Sequence, residues 1–302
     1  MLSLVVRTIF HFRNLLLPVV FGVSVAGAVI VGALMVGDSV RGSLRHMALD
    51  RIGDYDRMLI APRWFEPSMF DRSQFKGDVE EVLFLPQATA LREQWNGSDR
   101  AIFRANDMAL LGTEPSFWKH GKGQAIKQPK DEEIILNESL ARALQAKIGD
   151  PLTLRVPAQS VVPAESALGK REQDTFVLPR WKVIDILPDE SLARFSIRSD
   201  QRPVMNAFVD KKYLQQAIEV GSKINAILAK RDPSAPPQSD LLSRLQPSLN
   251  DLGLSLERVT KTFPNDDGER VYDYTHLTTD QMLLPDHLAD RVMKEVSELK
   301  PV

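Results

Sequence analysis

EIILNESLARALQAKIGDPLTLRV, residues 133–156, changes its hydrophobic period twice within one short stretch. Glu133 to Leu136 is a short apolar run of strand type. Glu138 to Lys147 then sets Leu140, Ala143 and Leu144 on one helical face, and Leu152 to Val156 returns to strand. Asn137 stands where a side-chain oxygen can accept a bond from an early helical amide, and Lys147 suits the helix C-terminus. Gly149 and Asp150 supply the turn. A strand, helix, turn and strand in this order predict a mixed α+β class.

The pattern extends in both directions. Strand-like runs recur at Arg57 to Ala61, Glu81 to Leu85, Ala101 to Ala105, Trp181 to Ile186, Ala207 to Val209 and Ile224 to Leu228. Leu241 to Leu252, with Leu242, Leu245 and Leu249 in phase, predicts another helix. Two stretches lack a period and are rich in proline: residues 157–179, expected to be a mobile loop, and RDPSAPPQSD at 231–240. A loop as long as 157–179 either separates two lobes or is inserted between strands. No internal repeat is present.

Upstream the composition changes. Residues 1–14 form a short N-terminal segment, and LLLPVVFGVSVAGAVIVGALMV at Leu15 to Val36 contains no charged residue. A helix of that length rises far enough to cross a hydrocarbon layer of roughly 30 Å. Pro18 falls near its start, where a missing amide donor costs little. Arg7, Arg13 and the α-amino group precede it, which predicts a cytoplasmic N-terminus and an extracytoplasmic bulk. A cleaved signal peptide is the alternative, with Val31 and Ala33 as the small residues before a cut, and it exports the remainder equally. Ser24, Ala28 and Gly32 fall at i, i+4 and i+8, a small-residue face suited to a packing helix. Past the apolar run, Val40, Leu44, Met47 and Ala48 keep helical spacing. The helix is therefore expected to continue as a stalk over residues 37–53 and to stop at Gly53.

Charge and composition exclude several function classes. The chain has 302 residues, 38 basic and 40 acidic. Removing Arg7 and Arg13, the only charged side chains before residue 37, leaves 36 basic against 40 acidic groups, so no broad positive field awaits nucleic acid. With no cysteine there are no disulfides, thiolate metal sites or thiol nucleophiles. His11, His46, His120, His276 and His287 lack zinc spacing, and Asp266 and Asp267 lack the rest of a calcium loop. Neither GxxxxGK[ST], GxGxxG nor GxSxG occurs. Glu80 with Glu81, and Asp131 with Glu132 and Glu133, border expected strands and read as solvated edges. Trp64, Trp95, Trp118 and Trp181 are dispersed and read as core or surface anchors. Neither a catalytic residue, a metal nor a cofactor is expected.

The order of parts resembles the FtsX-like and MacB-like permeases of ABC transporters. The resemblance rests on residues 37–60 with GDSVRGSLR, on residues 133–156, on WKVIDIL from Trp181 and on AFVDKKYLQQAI from Ala207 to Ile218. It implies a first membrane helix followed by a MacB-like extracytoplasmic core domain over residues 54–302. It also implies a membrane subunit without chemistry of its own, partnered by a separate ABC ATP-binding subunit, by further permease helices or a second permease copy, and by the lipid bilayer. Members of that family carry about three more membrane helices after the core domain. None follows here, so a truncated or split permease is expected. The alternative is a single-span receptor or binding protein with an outer ligand domain. A membrane-tethered enzyme is a third class, without a constellation of residues to support it.

Overall fold

The structure, a computed structural model, describes residues 11–70, 77–96, 99–121, 126–158, 175–197, 202–231, 245, 247–265 and 268–279, with isolated positions 7, 286, 289, 290 and 294. Helix α1 runs from Arg13 to Ile52 without a break. At 1.5 Å per residue its 40 residues extend about 60 Å, roughly twice the hydrocarbon thickness. It is long and apolar enough to cross a membrane, and none of its apolar window is buried among the described residues. Pro18 lies in the second turn, not the first, because the helix already begins at Arg13. The expected stop is observed: Gly53 takes a φ of 61°, which the next residue needs to leave the helix axis.

Eight strands follow: β1 Arg57–Phe65, β2 Gly77–Asn96, β3 Asp99–Thr113, β4 Glu133–Asn137, β5 Pro151–Pro157, β6 Thr175–Leu187, β7 Asn206–Asp210 and β8 Ile224–Arg231. They hydrogen-bond in the order β1-β8-β2-β3-β7-β4-β6-β5, and β5 pairs again with β2. Six strands therefore close into a ring, with β8 and β1 extending from it as a flap. Strand β2 makes this possible by serving both ring and flap. Its first residues, Gly77 to Val82, pair with β8, and Thr89 to Leu91 pair with β5. Between them, at Pro86 and Gln87, the register with β3 shifts and Gln87 takes a φ of 77°. That bulge bends the strand from one partner to the next.

Several ring strands are buried on both faces, which is why they read as continuous apolar runs. Leu83, Leu110, Ile134, Leu136, Ala207 and Val209 face one core, which two short helices also line, α2 Glu138–Leu144 and α3 Lys211–Ala217. Their neighbours Val82, Phe84, Leu111, Ile135 and Phe208 face a second core. Each such fully buried Leu, Ile or Phe contributes roughly 1.5–3 kcal/mol.

The Asn137 cap forms as expected, accepting from the Leu140 amide at 3.1 Å. The helix is shorter than its periodicity, however. It ends at Leu144 because Gln145 adopts the left-handed conformation, and the Lys147 amide donates to the Asp150 carboxylate in the turn. The expected loop at 157–179 also contracts, since Pro157 and Thr175 are paired at the ends of β5 and β6. It connects adjacent strands and does not divide the domain into lobes; residues 159–174 and 232–240 lie outside the described residues. Of the expected helix at 241–252, residues 241–244 and 246 lie outside the described residues, and the described ones are not α-helical. Leu245 makes an isolated bridge to Phe70, and Asn250–Leu252 is a single 3-10 turn. The Glu80 and Glu81 reading is corrected as well: both lie inside a paired stretch of β2, and Glu80 is buried. Finally, β9 Leu254–Asn265 and β10 Gly268–Thr279 form a separate two-stranded ribbon, which the sequence patterns did not point to. Asp266 and Asp267, between the two strands in sequence, lie outside the described residues.

Candidate functional site: the joint between helix and domain

The membrane-length helix meets the domain at Asp50 to Asp56, held by two 3-10 turns, Pro115–His120 and Ser191–Arg194. Asp50 accepts the Ser191 amide at 3.3 Å, and Arg51 beside it is buried. The Asp54 amide then donates to the His120 carbonyl at 2.8 Å. The Asp56 amide donates to the Ala229 carbonyl at 3.1 Å, which starts β1 along β8. Hydrogen bonds on three sides, two between backbone groups and one to the Asp50 carboxylate, thus fix the direction in which the helix leaves the domain.

Two glycines allow these segments to approach this closely. A Cβ on Gly53 would stand 2.4 Å from the His120 carbonyl oxygen, and one on Gly121 would stand 3.0 Å from Leu192. Ser191 carries a positive φ of 49°, uncommon for a residue with a side chain, and the Asp50 carboxylate holds its amide.

The joint continues into the second core. Tyr55 is 1% exposed and donates its hydroxyl to the Phe117 carbonyl at 3.0 Å. Burial, with Glu80 and Asp78 nearby, drives the Tyr55 hydroxyl pKa far above its ordinary value. Its ring stacks on Phe117 at 5.8 Å and meets His120 at 4.8 Å. Phe117 in turn contacts Phe195 and Phe208, so ring contacts run from the helix base to the middle of the sheet.

Polar contacts make further connections from the same turns. Ser116 donates to the buried Glu80 on β2 at 2.6 Å. Lys211, at the start of α3 and almost fully buried, pairs with Glu81 at 2.9 Å and Glu114 at 2.6 Å. With two carboxylates on it, the buried Lys211 ammonium keeps a partner when either glutamate is removed. Beyond the other turn, Asp189 accepts from Ser139 Oγ at 2.6 Å and from Asn137 Nδ2 at 2.8 Å. Asn206 donates to the carbonyls of Ala193 and Phe195, and its amide donates to Asn137 Oδ1 at 3.0 Å. Both turns are therefore bonded into β2, β4, β7 and the helices α2 and α3. A displacement of the helix base would act on the ring through short, direct contacts.

Ser24, Ala28 and Gly32 lie on one face of α1, and no described residue packs on it; a Cβ at Gly32 would meet nothing within 4 Å. His287 lies outside the described residues, and among the described residues no group of His, Asp or Glu is arranged to hold a metal. A cleft of about 440 Å³ opens at the β2 bulge beside Pro62, Phe84, Pro86 and Pro157, and among the described residues no titratable side chain lines it. The joint residues His120, Ser191, Tyr55 and Phe117 escaped the sequence reading. Only Gly53 signalled that a sharp exit occurs there.

No protein-family model and no curated protein matches this sequence. Among solved structures, the chain is similar to the periplasmic region of MacB from Actinobacillus actinomycetemcomitans, at 14% identity and a TM-score of 0.34, over 62% of this chain and 78% of that one. It is also similar to the extracellular domain of the noncanonic ABC-type transporter YknZ from Gram-positive bacteria, at 10% identity and a TM-score of 0.31, over 62% of this chain and 86% of that one.

Proposed function

We propose that this chain is a membrane subunit of an ABC transporter of the FtsX/MacB type. A separate ATP-binding subunit hydrolyses ATP, and this chain carries the resulting movement to an extracytoplasmic domain, in export or in lipoprotein release. The observation that carries the reading is the unbroken α1, which runs from the apolar segment through Gly42 to a base bonded on three sides. A flexible tether would serve a receptor equally well, whereas a continuous helix with a fixed exit angle transmits force. The sequence resemblance at residues 37–60, 133–156 and 207–218 supports the same assignment. On this reading the N-terminus is cytoplasmic, the face with Ser24, Ala28 and Gly32 receives neighbouring permease helices, and the chain contributes no catalytic group.

Inserting a flexible glycine stretch at Gly42 leaves both ends of the molecule intact while breaking the rod. Co-purification with an ATPase subunit in mild detergent should survive the insertion, and ATP-driven transport should be lost. Unchanged transport, or repeated purification without any ATPase, overturns the assignment.

A further inference from the structure

The ribbon of β9 and β10 has no second layer among the described residues. Its twelve paired positions extend about 40 Å, and Leu256, Val271, Tyr272 and Tyr274 are each 45–59% exposed. An isolated two-stranded ribbon is marginal in water, and among the described residues β9 pairs only with β10. No described strand covers its outer edge, and such an edge is the usual template for a further strand.

The charges along β9 indicate which strand fits. In an antiparallel pair of identical strands related by a two-fold axis normal to the sheet, one residue faces its own copy, and residues equally spaced about it face each other. With Val259 at the axis, Glu257 of each copy opposes Lys261 of the other, Arg258 opposes Thr260 and Leu256 opposes Thr262. Centring on Glu257, Arg258 or Lys261 sets like charges together, and centring on Leu256 or Thr260 pairs no opposite charges. The edge of β10 has no equivalent: centring on Asp273 opposes two carboxylates, and that residue is already bonded to Arg258 at 2.9 Å within the ribbon. Glu257 and Lys261 are both exposed, with no ion pair among the described residues.

From this self-complementary pattern we infer that two copies of the chain associate edge to edge through β9, centred on Val259, into a four-stranded antiparallel sheet. The pairing rests on the ribbon alone and does not depend on the transporter assignment.

The chain has no cysteine, so a single introduced thiol reports on its own copy only. In the full chain in mild detergent, Val259→Cys should form a disulfide-linked dimer on mild oxidation, and Val271→Cys on the outer strand should not. Placing Lys261→Glu in the Val259→Cys background sets carboxylates opposite each other twice and should reduce cross-linked dimer by roughly tenfold. Adding Glu257→Lys to that variant restores both opposite pairs and should restore the dimer. These positions are on the solvent-facing ribbon, and unchanged circular dichroism would show that each variant folds. Equal cross-linking at positions 259 and 271, or failure of the double exchange to restore the dimer, overturns the inference.

Discussion

Glu80 shows how far a side chain's role depends on its surroundings. Burial raises its carboxyl pKa, and Glu114 adds to the effect. The hydrogen bond from Ser116 and the charges of His120 and Lys211 oppose it without cancelling it. The folded protein therefore keeps this proton to higher pH than the unfolded chain, whose glutamates titrate near about 4.3. Between those two values the folded state binds more protons, so stability is highest below the unfolded pKa and falls as pH rises through the folded one. Glu80→Gln keeps an acceptor for Ser116 and removes the titration. Urea midpoints at about pH 4 and pH 7 should show a smaller loss on raising pH for the variant than for the parent. An equal loss would mean that Glu80 ionises as freely in the fold as outside it. In the sequence, Glu80 and Glu81 look like any charged pair beside a strand. Only the pairing of Gly77 to Val82 with β8, and the approach of Ser116 and Lys211, give them an interior position.

Local signals determined some elements and misplaced others. Asn137 capped its helix as its side chain dictates, and Gly53 ended the long helix, since both effects act within a few residues. The shortened α2, and the 3-10 turn at Asn250–Leu252 where a longer helix was expected, have another cause. Leucine spacing is compatible with a helix, but Gln145 turns left-handed so that the chain can enter β5, and Leu245 is engaged by Phe70. The ribbon was missed because its strands mix polar and apolar residues on both faces, leaving no alternation to read. Two glycines of the stalk, one at its base and one in its open length, give a direct test. Gly53→Val adds a Cβ 2.4 Å from a backbone oxygen at a φ of 61°, and should lower unfolding free energy by about 2–4 kcal/mol. Gly42→Ala, in open helix with nothing within 4 Å, should be neutral or raise it by up to about 1 kcal/mol. Similar thermal midpoints for the two variants would show that the helix base does not press against His120.

At the scale of the whole molecule, one long helix and a closed six-strand ring meet at a joint only a few residues wide. If the N-terminus is cytoplasmic, the domain from residue 54 onward is sheltered within inside-out membrane vesicles. Added protease should leave it intact until detergent opens the vesicles, and cleavage before opening would reverse the orientation. The sequence alone determined the apolar span, its continuation as a stalk, the stop at Gly53 and the mixed α+β class. Each follows from hydrophobic period, charge placement or backbone preference, which are properties of short segments. The closure of the ring through the β2 bulge, the inward position of Glu80 and Lys211, and the clamp of His120 and Ser191 on the helix base were decided only in the tertiary structure. They depend on which distant segments become neighbours, and hydrophobic pattern fixes which face of a strand is buried but not what packs against it.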